Sequence, residues 1–155
     1  MDTNVKKTEN AQTNQIPVFT GLQTYRLNDA CEVSFNPTDS GFVKRLYTAF
    51  DALKAKYDTY TAEVEAKSGS AELFDVIERL NAETREIIDR LFEKPVCESV
   101  FGAMNVYALA DGLPVWMNLM LAVIDVVDAK LAQENERANP RLEKYLAKYR
   151  KGIRK

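Results

Sequence analysis

The side chains of this 155-residue chain whose type and spacing could do chemistry are three aspartates and two cysteines. Asp125 and Asp128 stand about one helical turn apart, with Asp111 upstream. Two acids so spaced in an apolar helix could share a divalent cation. The plainer reading puts both on the solvent edge of that helix. Cys31 and Cys97 form no CxxC pair, and the chain has no histidine to join them. Both sit among apolar or small residues, which fits buried free thiols. The absence of histidine removes the commonest general base and the commonest zinc ligand together. No glycine-rich phosphate loop, GxSxG, HExxH or EF-hand pattern is present. The residues therefore lead to no catalytic, cofactor-binding or metal-binding set, and the chain is expected not to be an enzyme.

The elements that must position these residues are read from periodicity. From Leu113 to Leu131 apolar residues recur at three- and four-residue steps through Trp116, Leu119, Met120, Val123, Ile124 and Val127, one wide face of a helix. Pro114 suits its first turn, where a missing N–H costs nothing. About fifteen apolar-rich residues containing an Asn and an Asp are too few to span a bilayer, which needs roughly 20; a central core helix is expected. Before it, a first long helix should run from about Ser40 to Ala66, with Phe42, Leu46, Leu53, Tyr57 and Tyr60 stepping along one side. That spacing suits antiparallel packing or a coiled-coil seam. Ser68-Gly69-Ser70 separates it from a second helix, Ala71 to Glu93, whose inner face carries Leu73, Ile77, Leu80 and Leu91 and whose outside carries Glu78, Arg79, Arg85 and Arg90. Pro95 stops this helix. A short turn over Val96–Phe101 closes at Gly102, and a short helix is expected over Asn105–Leu109. Upstream, Cys31, Val33 and Phe35 alternate with polar residues after Asn28-Asp29-Ala30, the pattern of a hairpin. Asn139-Pro140 opens a last amphipathic helix with Leu142, Tyr145, Leu146, Tyr149 and Ile153 on one side.

The expected fold is thus mainly α: a small helical domain of three to four long helices with a short N-terminal β-hairpin. Residues 1–16 read as a disordered polar tail and 17–155 as one α-rich domain, with the hairpin in 17–36, a helical body in 40–136 and a basic amphipathic helix in 139–155. Charge is divided along the chain. From Arg137 onward there are eight Lys or Arg against one acid, whereas the preceding 136 residues carry thirteen bases and twenty-two acids. The basic end could pack on the body, dock on an acidic partner helix, or touch nucleic acid or lipid through charge. Two tyrosines on the packing face do not argue for base stacking, so nucleic acid and membrane are not expected partners. The polar opening residues lack a signal peptide, and a reducing cytoplasm is the expected compartment.

One arrangement goes further than residue chemistry. Cys31–Phe35 leads to a charged long helix; a second helix ends in Ile87-Ile88-Asp89-Arg90-Leu91-Phe92. Val100-Phe101-Gly102-Ala103-Met104-Asn105-Val106 follows, then an apolar helix and finally Arg141-Leu142-Glu143-Lys144-Tyr145. Over about residues 30–150 this resembles the tail assembly chaperones of long-tailed bacteriophages and prophages. The resemblance implies a non-catalytic role: binding the long tape-measure protein and keeping it soluble in the host cytoplasm while tail-tube subunits polymerise around it. It implies no cofactor, possible contact with the tail-tube protein, possible self-association, and absence from the mature virion. The partner-binding residues carried by that reading are Phe101, Gly102 and Asn105 of the matching segment, Trp116 and Met120 of the apolar helix, and Leu142, Tyr145 and Tyr149 of the last stripe. The alternatives are a phage structural or head-completion protein and, less in keeping with the residues, a carboxylate-based metal binder or enzyme.

Overall fold

The computed structural model describes residues 11–153, the side chains of Tyr149 and Ile153 excepted. It is mainly helical, with a short antiparallel hairpin near the N-terminus. Strand β1 (Gln23–Leu27) pairs with β2 (Cys31–Phe35), Tyr25 opposite Val33. Asn28 and Asp29 supply the positive φ values, 56° and 98°, that reverse the chain, as short polar residues can. Phe19 and Leu22, within the 17–36 range expected to hold the hairpin, lie outside the ladder and are exposed. Asn36 Nδ2 donates to the Thr20 carbonyl there, so the chain before Gln23 is held by a side chain and not by strand pairing. Of the tail expected over 1–16, residues 1–10 lie outside the described residues.

Helix α1 (Ser40–Lys67) starts where Asp39 Oδ1 accepts the Gly41 N–H at 2.9 Å, a side-chain N-cap. Helix α2 (Glu72–Phe92) runs back along it: Lys56 Nζ lies 3.1 Å from Glu83, and Lys67 lies near Glu72. The antiparallel alternative is therefore the one adopted. Glu93, at φ 57°, gives its N–H to the Arg90 carbonyl and closes α2 in a left-handed turn. A two-stranded hairpin is marginal alone. Here Phe35 stacks on Tyr25 at 4.9 Å and on Phe42 of α1 at 4.3 Å, tying the sheet to the helices.

Helix α3 (Val96–Phe101) follows, but Asn105–Leu109 is not a helix. Leu109–Ala110 (β3) instead pairs with Leu113–Pro114 (β4) around Asp111 and Gly112, both at positive φ. An Asp-Gly pair between two strands is a hairpin turn, and that local preference overrides the helical reading. Helix α4 consequently begins at Val115 and continues to Glu136. Pro114 sits one residue before the first turn. No side chain caps α4; the Val115 and Trp116 N–H groups donate to the Ala108 and Val106 carbonyls at 2.8 and 3.1 Å. The loop before the helix thus meets the donors that a helix start leaves without partners. Trp116, Met120, Val123 and Val127 of α4 join Leu46, Leu53 and Ile88 in one buried core. Asn139 Oδ1 caps the last helix, α5 (Arg141–Ile153).

Candidate functional site

The Phe101–Val106 segment is built by polar side chains on one face of α2. Asp89 Oδ1 accepts the Cys97 N–H at 2.9 Å, and Asn81 Oδ1 accepts the Val106 N–H at 2.8 Å. Between them Arg85 donates to the Gly102 carbonyl at 2.8 Å and to the Met104 carbonyl. The Thr84 hydroxyl and the Tyr107 phenol, both buried, share a 2.7 Å hydrogen bond. Residues at these three- and four-step positions are neighbours on a helix, so one turn after another of α2 fixes the backbone of the following segment. Gly102 takes φ 58° and ψ −131°, a region that residues with a Cβ avoid. Asn105 Oδ1 accepts the Tyr107 N–H at 2.8 Å. Gly102 and Asn105 thus shape the loop that presents Phe101. Sequence reasoning placed Arg85 on the solvent side of α2; it is half-buried against backbone carbonyls.

Phe101 forms one wall of an apolar groove of about 450 Å³ between the β1–β2 hairpin and the first half of α4. Tyr25, Leu27, Val100, Leu119 and Val126 are among the other residues that line it. Burial raises the Tyr25 phenol above its ordinary pKa. Arg26, Asn28 and Asn118 are the polar residues along the groove, and Asn118 Nδ2 is already engaged with the Ala110 carbonyl at 2.9 Å. Small-molecule sites combine a cavity with convergent polar groups. An open apolar trough between a hairpin and a helix matches instead the grooves that receive the apolar face of an amphipathic helix.

The eight partner-binding residues read from the sequence fall in three places. Phe101 walls the groove, with Gly102 and Asn105 just behind it. Trp116 and Met120 are wholly buried and present no surface to a partner. Trp116 packs 6.2 Å from the Phe50 and Tyr57 rings of α1, because the stripe that is most apolar is also the one the core claims. Leu142 and Tyr145 lie on α5, 66% and 51% exposed; the Tyr149 side chain lies outside the described residues. Every described side chain of α5 is exposed, so this helix does not pack on the body. The groove members Tyr25, Leu27, Val100 and Leu119 are not among the eight. Tyr25 and Leu27 lie on β1, Val100 on α3 and Leu119 in the apolar stripe of α4, and each by itself reads as core and not as a site.

Asp111 lies in the β3–β4 turn, while Asp125 and Asp128 are exposed on α4. Among the described residues no three His, Cys, Asp or Glu approach closely enough to hold a metal ion. Cys31 is half-buried and Cys97 buried. Burial, reinforced by the Asp89 carboxylate, pushes the Cys97 thiol up to about 12. Among the described residues no helix is long and apolar enough to cross a membrane. No protein-family model, curated protein or solved structure matches the chain.

Proposed function

We propose that this chain is a tail assembly chaperone of a long-tailed bacteriophage or prophage, a non-catalytic protein that holds the tape-measure protein soluble in the host cytoplasm until the tail tube forms. The observation that carries the reading is the groove beside Phe101. The Phe101-Gly102…Asn105-Val106 segment, which bears the family resemblance, is also the segment whose folding builds a wall of an open apolar trough. A tape-measure protein is a long helical chain, and its amphipathic segments have the shape such a trough accepts. Exposed Met104 and Leu109 near the groove-forming loop enlarge the apolar surface on offer; methionine in particular adapts to varied partners. Binding of this kind draws on buried apolar area, at about 25 cal/mol per Å² before ordering costs.

The test is co-expression with the tape-measure protein of the same genome. The wild-type chain should move that protein from inclusion bodies into a soluble complex that survives high salt. Ala122→Arg, which places a long charged side chain at an exposed groove position, should reduce co-purification at least tenfold with unchanged circular dichroism, a loss of about 1.4 kcal/mol or more. A tape-measure protein equally soluble without this chain overturns the proposal. Stable recovery of the chain in purified virions favours the structural-protein alternative.

A further inference from the structure

We propose that the groove beside Phe101 receives α5 of a second copy of this chain, so that two copies exchange their C-terminal helices. This concerns the free protein and stands apart from the tape-measure reading. Two unpartnered apolar surfaces lie on the same chain: the groove, and the stripe of Leu142, Tyr145 and Leu146, which are 66%, 51% and 40% exposed. A helix of 13 residues is marginal in water without a packing surface.

Charge points to the same pairing. The elements that wall the groove carry the exposed acids Asp29 and Glu32 on the hairpin, Glu98 on α3, and Asp125, Asp128, Glu134 and Glu136 on α4, against Lys130 and Arg26, the latter paired with Asp29 and Glu32. Helix α5 carries Arg141, Lys144, Lys148, Arg150 and Lys151 against Glu143. Net-acidic elements around an apolar floor complement a basic helix with an apolar stripe, and such complementarity sets orientation and partner choice.

The chain's own α5 does not cover the groove. The last buried residue of α4 is Val127, and the helix continues exposed from Asp128 to Ala129 and from Leu131 to Glu136. Arg137 then leaves in an extended conformation, φ −76° and ψ 131°. Every described side chain of α5 is exposed, so the helix stands clear of its own groove, whose α4 residues are Val115 to Val126. A second copy can supply the helix that covers it, and mutual exchange gives a closed two-fold dimer.

Sedimentation equilibrium of the full chain, across a wide concentration range, tests the exchange. The wild type should be a dimer. Ala122→Arg, which blocks the groove, and the double substitution Leu142→Asp/Tyr145→Asp, which spoils the stripe, should each raise the dissociation constant at least tenfold. Both alter exposed positions, and matching circular dichroism should show the folded body intact. Mixing the two variants should restore a dimer at high concentration through the one exchange still possible. A wild type that stays monomeric overturns the proposal, as does a dimer indifferent to both variants. A mixture that remains monomeric throughout the range also overturns it.

Discussion

The Thr84 hydroxyl and the Tyr107 phenol bond at 2.7 Å inside the core, and neither group has water to replace its partner. Thr84→Val should therefore cost about 1–3 kcal/mol, the penalty of a buried polar group left alone. Adding Tyr107→Phe should recover part of the loss in a denaturant-unfolding cycle; a strictly additive pair would contradict the coupling. The thiols give a second residue-level outcome. Cys97, raised to about 12 by burial and the Asp89 carboxylate, should resist a thiol reagent at mildly alkaline pH until the chain unfolds, whereas half-buried Cys31 should react in the native state. The folded thiol is raised above its unfolded value, as is the Tyr107 phenol through burial. Their linked stability is then present at neutral pH and falls as pH rises from about 9 toward 12. A thermal midpoint that stayed constant over that window would contradict this. Such residues are hard to read from sequence. Arg85 looks like any solvated arginine of a charged helix, because the Gly102 and Met104 carbonyls it binds are 17 and 19 residues away.

Elements were far more legible than residues, for a physical reason. The α1, α2 and α4 stretches carry apolar periodicity over many turns, and buried positions such as Leu46, Leu53, Leu80, Val123 and Val127 are the ones that periodicity marks. The β1–β2 hairpin showed itself through strict alternation in Cys31–Phe35. Two-residue strands have no period, so β3–β4 is invisible as a sheet, and only Asp111-Gly112 marks it. The groove was illegible for a related reason. It lies between elements far apart in sequence, and each wall by itself looks like core. The hairpin offers the test at this scale. Phe35 and Phe42 stack at 4.3 Å, so Phe35→Ala should cost about 3–5 kcal/mol and detach β1–β2 from α1. Amide exchange should show protection falling first in Tyr25 to Phe35; uniform loss across α1 and α2 would mean that the hairpin is not a separable unit.

At the scale of the whole molecule, an acidic body and a basic last helix, joined only through residues 137–140, leave one groove with two claimants. The C-terminal helix of a second copy and an amphipathic segment of a tape-measure protein would bury the same Phe101, Leu119 and Val126 surface. Only one can do so at a time, so the client should bind by displacing the exchanged helix. Proteolysis reads this directly, because α5 carries the trypsin sites Arg141, Lys144, Lys148, Arg150 and Lys151. In the dimer these sites should be protected in proportion to dimer population. Raised salt should increase their cleavage, since attraction between the acidic body and the basic helix is screened over about 10 Å at 0.1 M ionic strength. A helical client segment should then release cleavage at α5 while leaving α1, α2 and the core half of α4 resistant. The Leu142→Asp/Tyr145→Asp variant, with its groove already vacant, should bind the same segment more tightly than the wild type by the free energy of the exchange it no longer makes. Equal affinity in the two proteins, with α5 still protected when client is bound, would place the client elsewhere on the chain and leave the groove to the dimer alone.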